Sequence, residues 1–260
     1  MRVVPLASGS KGNSYYVSTG ASSILIDAGL TAKELTRRLD LSGIDPLTID
    51  ALFITHEHID HIRGARVFSR QYRIPVFMNR GCLAAATERY ELDDLPDIRL
   101  FDTGLSFDYQ DFMIHPLSVS HDTVDPVCFA IEDGKSTLGI VTDLGKVTTL
   151  IHTRAMRFDA MVLESNHDLM LLKTNPRYPE HVKQRIRSNR GHLSNEQAAS
   201  FARDVILRGK LRHLLLAHLS EQNNTEELSA SSFLRAFSED RIDLPFSFAK
   251  QYVPVCGIEL

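Results

Sequence analysis

Four short apolar runs of this chain end in residues of the types that can ligate a metal. ALFIT runs into His56, His58, Asp60 and His61, HPLSVS into His121, TLGIVT into Asp143 and RHLLLA into His218. An apolar run of four to eight residues bounded by polar ones reads as a buried strand. In layered α/β folds, sites gather where such strands end. The pattern therefore asks for a fold that collects several strand ends in one place.

The strands expected from these runs are Asp50–Thr55, Asp111–Ser120, Thr137–Asp143 and Arg212–His218, joined by Tyr15–Thr19, Ser23–Ala28, Ile74–Asn79, Val127–Asp133 and Asp159–Ser165. Amphipathic helical patterns fall between them. One starts at Thr31, with Glu34 three residues on, and stops at Gly43. Others cover 62–72, 194–209 and 225–239. Strands come in succession, helices intervene and strands return. This order suggests an α/β fold of two sheets packed face to face with helices outside, an αββα four-layer sandwich. Periodicity alone leaves a doubly wound single sheet open.

With 260 residues and 43% hydrophobic content, a single domain over 1–260 is expected to fill a sizeable core. The net charge of −4 selects no partner. The cysteines Cys82, Cys128 and Cys256 are widely spaced and form no CxxC, which argues against a disulfide framework or a thiolate zinc site. No apolar run approaches the roughly 18 residues that cross a bilayer, and the N-terminal stretch lacks the apolar core of a secretion signal. A cytoplasmic protein without a membrane partner is expected.

His56 and His58 stand two apart in an extended segment, so they point the same way and converge on one ion. Asp60 and His61, at the start of the next helix, reach a second ion nearby. Neutral imidazole and carboxylate suit zinc, with manganese as the alternative. A solvated His-rich loop would explain this stretch alone, but not the three other strand ends.

An HxHxDH motif followed by a distant His, Asp and His resembles the metallo-β-lactamase superfamily over nearly the whole chain. The resemblance implies the αββα sandwich and two divalent ions. His56, His58 and His121 would bind one, Asp60, His61 and His218 the other, and Asp143 would bridge them. The second motif position is His58 rather than Glu, which favours hydrolysis over iron-based oxygen chemistry. The bridging position is Asp143 rather than the Cys of some zinc lactamases. The stretches ASGSKGNSYYV, ILIDAGL, LESNHD, GHLSNEQAA and LAHLSEQNN resemble the YycJ (WalJ) family of bacterial metallo-hydrolases. That resemblance implies a DNA-directed phosphodiesterase, a 5′-to-3′ exonuclease on single-stranded DNA.

Further residues are candidates around this centre. Asp60, His192 and Glu164 are the catalytic candidates, with Glu164 as a hydrogen-bond acceptor that orients a ligand histidine. His192 lies before a helix capped by Ser194 or Asn195, where it binds a phosphate, protonates the leaving group, or simply bonds the backbone. Between Lys173 and Arg190 lie six cations against one acid, Glu180. Among them Arg185, Arg187 and Arg190 read either as a track for a nucleic-acid backbone or as a solvated face. His167 and Asn13 are substrate-side candidates, each with a structural alternative: a strand-end polar cluster and a Gly-rich turn. Asp27 is expected to hold the motif loop or its imidazoles, and Asn223 and Asn224 the His218 loop. His115, His152, His181 and His213 read as surface or packing residues.

The competing readings are small-substrate hydrolases on the same scaffold: a cyclic-phosphate phosphodiesterase or a glyoxalase-like thioesterase. A precursor-tRNA endonuclease is disfavoured because no long Gly/Pro-rich insertion occurs. A binding protein with a decayed centre would have lost ligands, whereas all seven positions are filled. Oligomeric state is not legible.

Overall fold

All nine expected strands form, usually trimmed by a residue or two. The computed structural model describes residues 1–90 and 92–260. The chain gathers into two units. The first holds Met1–Ser118, Thr123–Lys135 and Ala249–Leu260, and the second Val119–Asp122 and Ser136–Phe248.

In the first unit, β1 (Arg2–Ala7), β2 (Ser14–Ser18) and β3 (Ser23–Ile26) form an antiparallel meander. β4 (Ala51–Phe53), β5 (Val76–Asn79) and β6 (Ile98–Phe101) then add in parallel. The C-terminal strand Ile258–Glu259 closes the other edge, antiparallel to β1. The parallel strands need crossovers, and helices supply them. α1 (Ala32–Leu41) is capped by the Thr31 side chain, which accepts from Glu34 N, and buries Ala32, Leu35 and Leu39. The pattern at 62–72 predicts one helix, but the structure makes two, α2 (Ile59–Ile62) and α3 (Ala65–Tyr72). The break comes where Gly64 N turns aside to donate to Ala28 O at 2.8 Å. α4 (Arg80–Tyr90) follows β5.

Three further strands of this unit, β7 (Phe107–Tyr109), β8 (Phe112–Ser118) and β9 (Val127–Glu132), are antiparallel. Their inner aromatics meet those of the first sheet. Phe53 stacks on Phe77 at 4.5 Å and meets Phe129 edge-on at 6.0 Å, while Phe101 stacks on Phe107 at 5.9 Å. Offset and edge-on pairs of this kind add to the burial term. Val4, Leu25, Leu52 and Val76 face the other way and pack with Leu35, Leu39 and Phe68 of the helices.

The second unit is a parallel run: β10 (Thr137–Val141), β11 (Ala160–Glu164), β12 (His213–Ala217) and β13 (Phe246–Phe248). α5 (Thr149–Ala155) links the first pair. α6 (Leu169–Thr174), α7 (Glu180–Arg187) and α8 (Asn195–Arg208) link the second, and α9 (Glu226–Glu239) the third. α8 starts in a capping box, Ser194 with Gln197. Register decides where the site falls. Val141 pairs with Leu163, and Glu164 with Ala217, so the carboxyl ends of β10, β11 and β12 lie level.

Candidate metal centre

The first unit contributes the motif loop. His56 and His58 point together, with His56 Nε2 and His58 Nδ1 3.2 Å apart. The His56 and His61 rings lie 4.0 Å centroid to centroid. Asp27, just past β3, is the expected acceptor. Its Oδ1 accepts from Thr55 N at 2.9 Å, and its Oδ2 lies 2.7 Å from His61 Nδ1. A proton held on Nδ1 leaves His61 Nε2 as the ligand atom. Thr55 Oγ1 sits 2.9 Å from His56 Nδ1 and fixes that ring in the same way. Burial raises the Asp27 pKa against the pull of His61 and Thr55.

The loop is docked by its backbone. Asp60 O accepts from Asn13 N, and His61 O from Ala28 N, each at 2.8 Å. A Cβ on Gly29 would stand 1.7 Å from Asp60 O, so only glycine allows that approach. Asn13 is fully buried. Its Oδ1 accepts from Gly9 N at 2.8 Å, and its Nδ2 donates toward Gly9 O, Asp60 Oδ2 and His61 Nε2. Sequence reasoning passed over Thr55 and also Glu57, whose buried Oε1 accepts from Val124 N at 3.1 Å. Glu57 occupies a variable position of HxHxDH, so spacing gave no signal for it.

The second unit brings Asp143, Glu164, His192 and His218 together at the level strand ends, with one ligand atom from each within 4.8 Å of every other. His218 Nδ1 lies 2.9 Å from Asp143 Oδ1 and 3.5 Å from Glu164 Oε1. Glu164 accepts from His192 Nδ1 at 2.6 Å, while its other oxygen accepts from Leu144 N and Leu193 N at 3.2 Å each. Burial opposes the charge of His192. The Glu164 carboxylate and its hydrogen bond, with Asp143 and Asp122, outweigh it and raise the pKa to about 9.

His121, three residues past β8, directs Nδ1 to Gly191 O at 3.1 Å, and its ring lies 5.1 Å from that of His192. Burial holds its pKa below the ordinary value, against the pull of Asp143. His167 is buried, and its Nδ1 has no hydrogen-bond partner among the described residues. Its backbone O accepts from Asn195 N. Asn166, passed over in the sequence, is the residue that holds the His218 peptide, donating from Nδ2 to His218 O at 3.0 Å. Asn224 ties the same turn, donating to Ser165 O and Asn166 O.

The cationic strip lies beside this cluster. Arg190 Nε donates to His121 O at 3.2 Å, and Arg185 Nε stands 3.4 Å from Asp122 Oδ2. Arg187 pairs with Glu180 at 3.1 Å. Imidazoles and carboxylates drawn together under cover are the donor set of a zinc-like divalent ion, so the residues fit such an ion. Without one, carboxylates clustered in low dielectric would repel one another at a cost.

Residues 7–181 match the family model described as the metallo-beta-lactamase superfamily. The chain is 35% identical to the exodeoxyribonuclease YycJ of Bacillus anthracis, over 90% of this chain and 88% of that one. It is 33% identical to the exodeoxyribonuclease WalJ of Streptococcus pneumoniae, over 94% and 90%. Its fold is similar to that of the metallo-beta-lactamase fold protein YhfI from Bacillus subtilis, at a TM-score of 0.75 and 16% identity over 98% of each chain. Two sheets flanked by helices, with His/Asp clusters suited to divalent ions, define a metal-dependent hydrolase. The chain belongs to the metallo-β-lactamase superfamily, as a YycJ/WalJ-like member. The αββα expectation is thereby met, and the single doubly wound sheet is set aside.

Proposed function

We propose that the protein is a dinuclear metal-dependent nuclease that degrades single-stranded DNA from the 5′ end, as a single domain acting in the cytoplasm. The observation that carries the reading is the second-unit cluster. Four ligand-type side chains converge at level strand ends, and the adjoining cationic strip is bonded to the His121–Asp122 turn. Two relatives named exodeoxyribonuclease, each matched over most of its length, support the polymer substrate.

By the superfamily pattern, His56, His58 and His121 would be the residues to hold one ion and Asp60, His61 and His218 the other, with Asp143 shared between the two sets. Zinc suits these donors, with manganese as the alternative. When bound, such ions would supply Lewis acidity, lowering the pKa of a coordinated water and offsetting charge on the reacting phosphate. The protein's own groups do the rest. Glu164 holds the proton on His192 Nδ1, so Nε2 is the atom offered to a phosphate oxygen or to the leaving 3′ oxygen. Asp60 lies beside His61, with its Oδ2 3.6 Å from Nε2, where it serves as ligand and as catalytic carboxylate. Arg185, Arg187 and Arg190 hold the DNA backbone. Asn13 and His167, both buried, remain the candidates for contact with substrate beside the ligands.

The test is incubation of metal-loaded protein with end-labelled single- and double-stranded DNA and RNA. Release of a labelled mononucleotide from 5′-labelled single-stranded DNA supports the reading. Inactivity on all four polymers, with turnover of a small phosphodiester or thioester, would replace it by the small-substrate hydrolase.

A further inference from the structure

The chain leaves the cluster at Glu164 and returns to it at His192. The excursion between them carries α6 and α7. α6 opens two residues past the buried His167, and its first turn is apolar yet turned to water. Leu169 is 43% exposed, Met170 63% and Leu171 36%, while Leu172 beneath them is fully buried. Asp168 caps this turn, accepting from Met170 N and Leu171 N, which fixes the backbone from which the three side chains project. Adjacent large apolar side chains in water usually mark a binding surface.

What binds is indicated by the neighbours. Met170 and Lys173 lie one turn apart on the same helix face. Lys183 of α7 donates to Lys173 O at 2.8 Å, so the apolar step runs directly into the face of α7 on which Lys183 and Arg187 lie one turn apart. We propose that Leu169, Met170 and Leu171 form a platform for the unstacked bases of a single strand, while the cations beside it hold the phosphates. The inference rests on the nuclease reading and adds to it a physical basis for strand preference. A duplex hides its base faces in the stack and presents phosphates to any cationic surface. A single strand exposes both, and an apolar step beside a cationic one buries its base faces while its phosphates are held. A second copy of this chain fits the face less well, because a two-fold contact through α6 would bring two like-charged strips together.

The test is binding of metal-loaded protein to two cleavage-resistant oligomers of equal length, an oligothymidylate and an abasic strand with the same phosphates. The double variant Leu169→Gln/Met170→Gln should weaken oligothymidylate binding about ten-fold, from lost apolar burial, and leave the abasic affinity unchanged. Met170→Leu, which keeps an apolar side chain, should retain wild-type binding. Equal losses on both oligomers, or no loss on either, would overturn the platform. Wild-type protein that binds both strands equally would remove the platform and leave the nuclease reading standing. Wild-type protein that binds neither would remove both. A dimer that the double variant converts to monomer in sedimentation would assign the face to a second copy instead.

Discussion

Replacing Glu164 by Gln keeps the shape of a fully buried side chain and deletes its charge. In the wild type, one carboxylate oxygen accepts from His192 Nδ1 at 2.6 Å and the other from two backbone N–H groups. Burial works against a charged His192, but Glu164, with Asp143 and Asp122, lifts its pKa to about 9. Against about 6.5 in the unfolded chain, that rise corresponds to about 3 kcal/mol of stability in the metal-free protein. The folded pKa is raised, so the contribution is complete below about pH 6.5 and is lost as pH climbs through about 9. With Gln in place, burial dominates and His192 is neutral across this range. Urea unfolding of metal-free protein between about pH 6 and about pH 9.5 reads the effect, as the difference in slope between wild type and variant. Wild type should lose about 3 kcal/mol more than E164Q over that interval. Metal-loaded protein should trend the other way at acid pH, because protons compete with the ions for imidazole. Equal slopes for the two metal-free proteins would show that Glu164 does not hold the His192 proton.

Asp143→Ala should lower bound metal and turnover together, measured by elemental analysis and end-label release, and a fully active variant would remove Asp143 from the bridging position. Reversing Arg185 and Arg187 to Glu should weaken DNA binding and flatten the plot of log affinity against log salt by about two; an unchanged slope would leave the strip as a solvated face. Burial pushes the pKa of His167 down to about 4. Its neutral form is the folded one, so stability falls as pH drops from about 6.5 toward 4, by about 3 kcal/mol. His167→Leu should abolish that acid loss in urea unfolding of metal-free protein, and an unaltered acid slope would count against it.

The motif loop was the most legible part, because HxHxDH after an apolar run states both a strand end and a donor set. Helix starts at Thr31 and Ser194 were legible too, since the caps and their partners Glu34 and Gln197 are local in sequence. The break between α2 and α3 was not, because it depends on Gly64 meeting Ala28, thirty-six positions away. The supports were equally silent. Asn166, Thr55 and Glu57 act through backbone groups or imidazoles brought near only by folding, and no spacing rule singles them out. Glu164 was found through family likeness. Its link to His192, across twenty-eight residues, came only with the register of β11.

Three residues of the clusters share a backbone conformation that side chains usually avoid. Asp27, Asp143 and His218 have φ of 63°, 60° and 52°. Each stands one or two residues beyond a strand: β3 ends at Ile26, β10 at Val141 and β12 at Ala217. A left-handed residue costs on the order of 1–2 kcal/mol, less for Asp and His than for β-branched side chains. It also ends the ladder abruptly, so the side chain no longer follows the strand's alternation and is free to turn across the sheet's end. The strained peptides are then held by specific partners. Asp27 N donates to Phe53 O at 2.8 Å, Leu144 N to Glu164, and Asn166 Nδ2 to His218 O. Elsewhere in the chain glycine takes this conformation at turns, as at Gly43 and Gly134, although Arg73, Gln110 and Arg241 carry it too. At Asp143 and His218, whose side chains stand 2.9 Å apart, and at Asp27, which stands 2.7 Å from His61, the conformation turns a polar side chain onto its partner.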